Sequence, residues 1–392
     1  PRHIFRAYDI RGLVERDITP ERAELVGRAV GTEAGLRDQH SVVVAADGRL
    51  SSPELTEALV RGLRAAGRDV ILLGRVPTPV AYFAAEYLEA RSCVVVTGSH
   101  NPPEYNGFKI MLDGQVLAGD EVDAIRRRIE SGDLSSGSGE LQEMDIGAEY
   151  IRRVSEDIPV ALGSAYTLVV DCGNAVAGTL APRLYRALGY DVVELYCEVD
   201  GRFPNHHPDP SDPANLQDLI AAVTSQGADL GLAFDGDGDR LGVVDGEGNV
   251  IWADQLMMAF AENVLAASPG SPVVYDVKCS RRLGEVISRA GGKAVMSRSG
   301  HSMMRQAMAQ AEAPLAGELS GHIFFKDRWY GFDDALYAGA RLLEILQQQD
   351  RSPAAFFAQY GTGLTTPELR VPMAEGEAHR LMAGLPAERI SG

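Results

Sequence analysis

Three times along this 392-residue chain, apolar strand-like segments alternate with amphipathic, helix-like stretches, and each time the third strand runs straight into a conspicuous polar loop. The first set comprises residues 41–46, 69–73 and 92–96; the second, 167–170, 191–195 and 230–234; the third, 272–275, 294–296 and the weaker 313–316. Apolar strands separated by helix-length crossovers pair in parallel, so the pattern predicts βαβ units. The expected fold is therefore α/β: three similar mixed or parallel-sheet domains around a central cleft, too much chain for one core. Breaks at the Gly/Ser-rich 131–139, at 267–270 and at 361–363 divide the chain into 1–145, 146–265, 266–362 and 363–392, the last too short for another full domain.

Ligands of open α/β sheets bind beyond the carboxyl ends of the strands, which is where the three polar loops fall. They read Thr97-Gly98-Ser99-His100-Asn101, Asp235-Gly236-Asp237-Gly238-Asp239-Arg240 and Gly317-Glu318-Leu319-Ser320-Gly321-His322. In the second, glycines between Asp235, Asp237 and Asp239 let three carboxylates turn toward one hard cation. An EF-hand calcium loop is the main rival, but its glycine and glutamate positions hold Arg240 and Gly246. A solvated acidic turn is the plain alternative. A magnesium ion so held keeps room for a phosphate oxygen, and Ser99, stiffened in its loop by Pro102 and Pro103, is the candidate to carry one. The loop lacks the G-x-S-x-G of a hydrolase elbow; an ordinary turn serine is the other alternative.

Of 37 basic residues only four are lysines: Lys109, Lys278, Lys293 and Lys326. A lysine can titrate when buried, whereas a guanidinium keeps its proton. A hairpin turn at Asn106-Gly107 is expected to bring Lys109 beside Ser99, to neutralise a phosphate or shuttle a proton. Glu318, Ser320 and His322 offer acceptor, hydroxyl and imidazole groups suited to a sugar ring, or to a paired helix-terminus motif. The formal charge of −18 disfavours nucleic acid and anionic membranes as partners. Without a long apolar run or the apolar core of a secretory signal, the cytoplasm is the expected location, and the single cysteines 93, 172, 197 and 279 read as reduced core residues.

In their order, the three loops resemble the α-D-phosphohexomutase family, more narrowly its bacterial phosphomannomutase/phosphoglucomutase branch. Phe5-Arg6-Ala7-Tyr8-Asp9-Ile10-Arg11-Gly12 and Asp276-Val277-Lys278-Cys279-Ser280-Arg281-Arg282 are similar to that branch too, so the resemblance covers residues 3 to about 370. It implies a phosphoserine domain (1–145), a metal domain (146–265), a sugar domain (266–362) and the beginning of a phosphate-binding domain (363–392). The activity implied is interconversion of hexose 1-phosphate and hexose 6-phosphate, of mannose or glucose, through phosphorylated Ser99 and a 1,6-bisphosphate intermediate. One Mg2+ per chain is expected on Ser99, Asp235, Asp237 and Asp239, with glucose 1,6-bisphosphate as activator. Arg11, His100, Lys109, Arg240 and His301 would attend the transferring phosphate, Glu318, Ser320 and His322 the sugar hydroxyls, and Tyr8 and Lys278 the cleft. A monomer or weak dimer is expected. The family's fourth domain grips the non-reacting phosphate, and here the chain stops at Gly392, soon after 366–371 begins it; an incomplete chain is the favoured explanation. The alternatives are a phosphoglucosamine mutase, or a phosphosugar-binding protein that lacks the fourth domain and does no catalysis.

Overall fold

The computed structural model describes residues 1–158, 166–361, 371, 373 and 377–384. Its first sheet comprises β1 (Ile10–Leu13), β2 (Ser41–Ala46), β3 (Asp69–Arg75), β4 (Cys93–Val96), β5 (Tyr105–Leu112), β6 (Gln115–Val116) and β7 (Leu141–Glu143). Their order is β1-β5-β4-β2-β3-β7, with β6 alongside β5. The second sheet holds β8 (Thr167–Asp171), β9 (Asp191–Leu195), β10 (Leu230–Phe234), β11 (Leu241–Asp245) and β12 (Val250–Ile251), ordered β12-β11-β10-β8-β9. The third holds β13 (Pro272–Asp276), β14 (Lys293–Ser297), β15 (Leu315–Gly317) and β16 (Ile323–Phe325), ordered β14-β13-β15-β16.

The nine strands expected from the apolar segments form the three parallel cores, and in each the first strand lies between the third and the second: β4-β2-β3, β10-β8-β9 and β15-β13-β14. The unbroken apolar runs of β4 and β10 reflect burial on both faces, every residue of both strands being buried. Each third strand then pairs antiparallel with its successor, β4 with β5, β10 with β11 and β15 with β16. The polar loops are the connections of these three hairpins. The sheets therefore change from parallel to antiparallel pairing at the places where the candidate chemistry sits.

A buried cluster that includes Val95, Phe83, Leu232, Phe260, Phe325 and Leu342 runs through all three units and fixes the loops relative to one another. Helix Ala335–Gln347 lies almost wholly inside it and is capped by Asp334, which accepts from Tyr337 N at 3.0 Å. Of the segment 363–392, expected to begin a fourth domain, the described residues are 371, 373 and a short helix, Glu377–Ala383, with Gly384; the stretch 366–370 lies outside the described residues. No described helix is long and apolar enough to cross a membrane.

Candidate active site

The aspartate loop is built around one carboxylate oxygen. Asp235 Oδ1 accepts from the backbone N–H groups of Gly238, Asp239 and Arg240 at 3.0, 3.1 and 3.2 Å, which winds the loop tightly and leaves Oδ2 to accept from Ser99 Oγ at 3.3 Å. Asp237 Oδ2 accepts from Thr78 Oγ1 at 2.6 Å and Lys109 Nζ at 2.7 Å. Lys109 Nζ also reaches Asp239 Oδ2. All three aspartates are fully buried, and one carboxylate oxygen from each lies within 4.8 Å of the others. Asp237 Oδ1 and Asp239 Oδ1 are buried without hydrogen-bond partners.

Three buried carboxylates share the one lysine ammonium, and burial followed by repulsion from Asp239 and Asp237 pushes the Asp235 carboxyl well above its ordinary range. Orphaned oxygens, excess negative charge and an all-oxygen donor set fit a hard divalent cation. Burial works against the charge on Lys109, but Asp237 and Asp239 outweigh it.

Ser99 sits in the left-handed backbone region, φ 49°, which costs a non-glycine residue about 1 kcal/mol. The aspartate loop packs on it so closely that a Cβ on Gly236 would lie 2.1 Å from Ser99 O. Ser99 Oγ is 3.2 Å from His100 Nδ1. The His100 imidazole is held far down by burial, then by Arg240 and Arg11, so it carries no charge at neutral pH.

The third loop closes the cluster. His322 Nε2 lies 3.3 Å from Asp239 Oδ1 and 3.4 Å from Arg240 Nε, while its Nδ1 is 3.0 Å from Glu318 Oε2 and 3.1 Å from Ser320 Oγ. Burial opposes its charge, yet Asp239 prevails and raises it to about 10. Glu318 Oε1 also accepts from Gly300 N, at the head of the helix that starts at His301. The His301 ring lies tilted against that of His322, centroids 5.7 Å apart, and burial followed by the Lys109 charge keeps it neutral.

Ser99, His100, Lys109, the three aspartates, Arg240, His301, Glu318, Ser320 and His322 thus share one constellation. Arg11 is buried on β1, paired with Asp9, and Tyr8 meets His301 edge-on at 6.0 Å. Lys278 lies exposed on the loop after β13. One expectation fails: Asn106 and Gly107 form no turn. Both lie inside β5, opposite Gly12 and Arg11 of β1, and Asn106 Nδ2 donates to Ser51 and Ser52 Oγ. The chain reverses at 97–104 instead, which sets Lys109 opposite Val95 and sends its ammonium to the aspartates.

Sequence reasoning missed Thr78, Asp333 and Arg49. Asp333 is buried within 3.9 Å of His301 and His322, with both oxygens lacking a hydrogen-bond partner. Arg49 lies behind the Ser99 loop, in Asp47-Gly48-Arg49-Leu50-Ser51-Ser52 directly after β2. A polar run at the carboxyl end of a core strand was the available signal, the same one that identified the other three loops.

Comparison with known proteins identifies the family. Family models for phosphoglucomutase/phosphomannomutase α/β/α domains I, II and III match residues 2–136, 148–248 and 252–361. A phosphomannomutase/phosphoglucomutase of Pseudomonas aeruginosa is 51% identical over 385 residues, covering 98% of this chain and 83% of that protein. A phosphoglucomutase of Neisseria meningitidis is 47% identical, covering 99% and 84%. The crystal structure of a phosphoglucomutase/phosphomannomutase family protein from Burkholderia thailandensis superposes with a TM-score of 0.90 at 49% identity, over 94% of this chain and 81% of that one. The chain belongs to the α-D-phosphohexomutase family, in its bacterial phosphomannomutase/phosphoglucomutase branch.

Proposed function

We propose that this protein interconverts hexose 1-phosphate and hexose 6-phosphate, with mannose and glucose as its sugars, by passing a phosphoryl group through Ser99. The observation that carries this reading is the hydrogen bond from Ser99 Oγ to Asp235 Oδ2 at 3.3 Å, at the edge of a buried cluster with two orphaned carboxylate oxygens. Asp235, Asp237 and Asp239, with the Ser99 phosphate, would hold one Mg2+, which when bound supplies positive charge against the phosphoryl oxygens.

The chain's own groups do the rest. Lys109, Arg240 and Arg11 provide fixed cations around the transferring group, where charge stabilisation and in-line positioning account for most of phosphoryl-transfer catalysis. Neutral His301 is fit to take the proton of the attacking sugar hydroxyl, with neutral His100 beside the serine oxygen. Glu318, Ser320 and His322 offer acceptor and donor groups to the ring hydroxyls, with Tyr8 and Lys278 lining the approach. Phospho-Ser99 donates to the substrate's free hydroxyl, and the 1,6-bisphosphate turns over and returns its other phosphate to Ser99. Glucose 1,6-bisphosphate would reload a dephosphorylated serine and so act as activator. In this reading 1–145 is the phosphoserine domain, 146–265 the metal domain, 266–362 the sugar domain and 363–392 the start of a phosphate-binding domain. The protein works in the cytoplasm as a monomer or weak dimer, its formal charge of −18 keeping it from nucleic acid.

A coupled assay with mannose 1-phosphate, glucose 1-phosphate and glucosamine 1-phosphate tests the proposal. Magnesium-dependent turnover of the first two supports it. Clear preference for glucosamine 1-phosphate overturns the sugar assignment, and no turnover of any of the three overturns the activity.

A further inference from the structure

Arg49 is 1% exposed and spends every N–H it has. Nε donates to Asp47 Oδ2 at 3.0 Å, Nη2 to Ser99 O at 2.7 Å and Asn101 O at 2.6 Å, and Nη1 to Pro102 O at 2.5 Å and Tyr105 O at 3.0 Å. A guanidinium has five N–H donors, and here five acceptors take them. Four of those acceptors are carbonyls of the Ser99 loop and its exit. The carbonyl they skip, His100 O, accepts from His207 Nε2 of the second sheet's domain. Four successive carbonyls, 99 to 102, are therefore held from outside the loop.

Asp47 completes the clamp. Its Oδ2 accepts from Gly98 N at 3.0 Å, and its Oδ1 from Arg49 N at 3.0 Å and Ser52 Oγ at 2.6 Å. A Cβ on Gly98 would fall 2.4 Å from the guanidinium, so the loop rests directly on it. The left-handed conformation of Ser99 has its own carbonyl tied to this cation and faces Gly236 on the other side.

We infer that Arg49 is a positioning residue for phosphoryl transfer: its five-donor fork, fixed by Asp47, holds the Ser99 loop in the left-handed conformation that aims Oγ at the aspartate cluster. The inference rests on the phosphoserine reading of Ser99. Lysine keeps the charge and the partner Asp47 but has three donors on one atom, so it cannot span four carbonyls. A misplacement of about 1 Å in a reacting group costs on the order of 100-fold in rate.

The test compares Arg49→Lys with Arg341→Lys, a buried arginine held by Asp327, Asn263 and Tyr337 away from the Ser99 loop. Each protein is incubated with glucose 1,6-bisphosphate and Mg2+, phosphate on Ser99 is counted by intact mass, and kcat is expressed per phosphorylated chain. Arg49→Lys should lose about 100-fold in kcat with KM for glucose 1-phosphate within about twofold, while Arg341→Lys loses thermal stability only. Unchanged kcat per phosphorylated chain in Arg49→Lys, a loss confined to KM, or an equal kcat loss in Arg341→Lys overturns the inference. Should Arg49→Lys fail to fold, Asp47→Asn, which keeps an acceptor for Gly98 N while removing the charge that orients the fork, must show the same split of kcat from KM, and normal kcat there overturns it. Wild-type protein that never takes phosphate on Ser99 overturns both this inference and the reading beneath it.

Discussion

Replacing Lys109 with methionine keeps the buried stem and removes the ammonium that bridges Asp237 and Asp239. The site, in which all three aspartates are fully buried, becomes one charge more negative. Removing one partner of a buried ion pair costs about 3–5 kcal/mol, because the remaining charge stays desolvated and unpaired. The metal-free variant should therefore lose about that much stability in urea unfolding with EDTA present. Added Mg2+ should then restore a larger share of stability than it contributes to the wild type. Site occupancy at 100 times Kd is worth about 2.7 kcal/mol, and a cluster one charge more negative binds a dication more tightly. Calorimetric titration should show a lower Kd for Mg2+ in the variant, accompanied by loss of kcat because a cation near the phosphate is gone. Equal metal-free stability of variant and wild type, or Mg2+ binding no tighter in the variant, would refute the electrostatic account of the cluster.

Other perturbations probe separate parts of the site. Asp237→Ala should abolish magnesium-dependent transfer with the fold retained, as followed by circular dichroism and the coupled assay; retained activity would remove Asp237 from the cation site. Gly236→Ala drives a Cβ into Ser99 O and should cut kcat by about 100-fold through displacement of the serine loop, read against an unchanged Mg2+ titration midpoint. His206 pairs with Asp171 at 3.0 Å, and although burial opposes its charge, that carboxylate raises its pKa above 6.5. A raised histidine stabilises fully below its unfolded pKa and loses the contribution as pH climbs through the folded value. His206→Gln should thus cost about 1 kcal/mol at pH 5.5 and little at pH 9, measured by urea unfolding at both; equal costs at the two values would exclude the ion pair.

The parallel cores were legible because β2, β4, β8, β10 and β13 are buried on both faces and read as continuous apolar runs. The Ser99, aspartate and Glu318–His322 loops were legible for a related reason, since polar residues abruptly follow β4, β10 and β15. Lys109 reaches the aspartates through a different turn from the one expected: Asn106-Gly107 has the composition of a hairpin turn, but pairing with Gly12 and Arg11 of β1 and the Thr97 N–H donated to Gly107 O hold it extended, which local sequence does not encode. Arg49 was missed, although its polar run directly follows β2, because arginine is this chain's ordinary cation and composition does not separate a guanidinium that is 1% exposed from one in water. Asp333 and Thr78 reach the site from elements packed against it, the loop before helix Ala335–Gln347 and the start of helix Thr78–Tyr87. Their proximity to Asp239 and Asp237 exists only in the tertiary fold.

The most direct test of the account is the intact mass of the chain after incubation with glucose 1,6-bisphosphate and Mg2+, alongside Ser99→Ala. The account predicts a gain of one phosphoryl group, located on Ser99, exchanged with substrate phosphate during turnover of glucose 1-phosphate and absent from the variant. A mass that never changes, or a phosphate that Ser99→Ala still acquires, would contradict it.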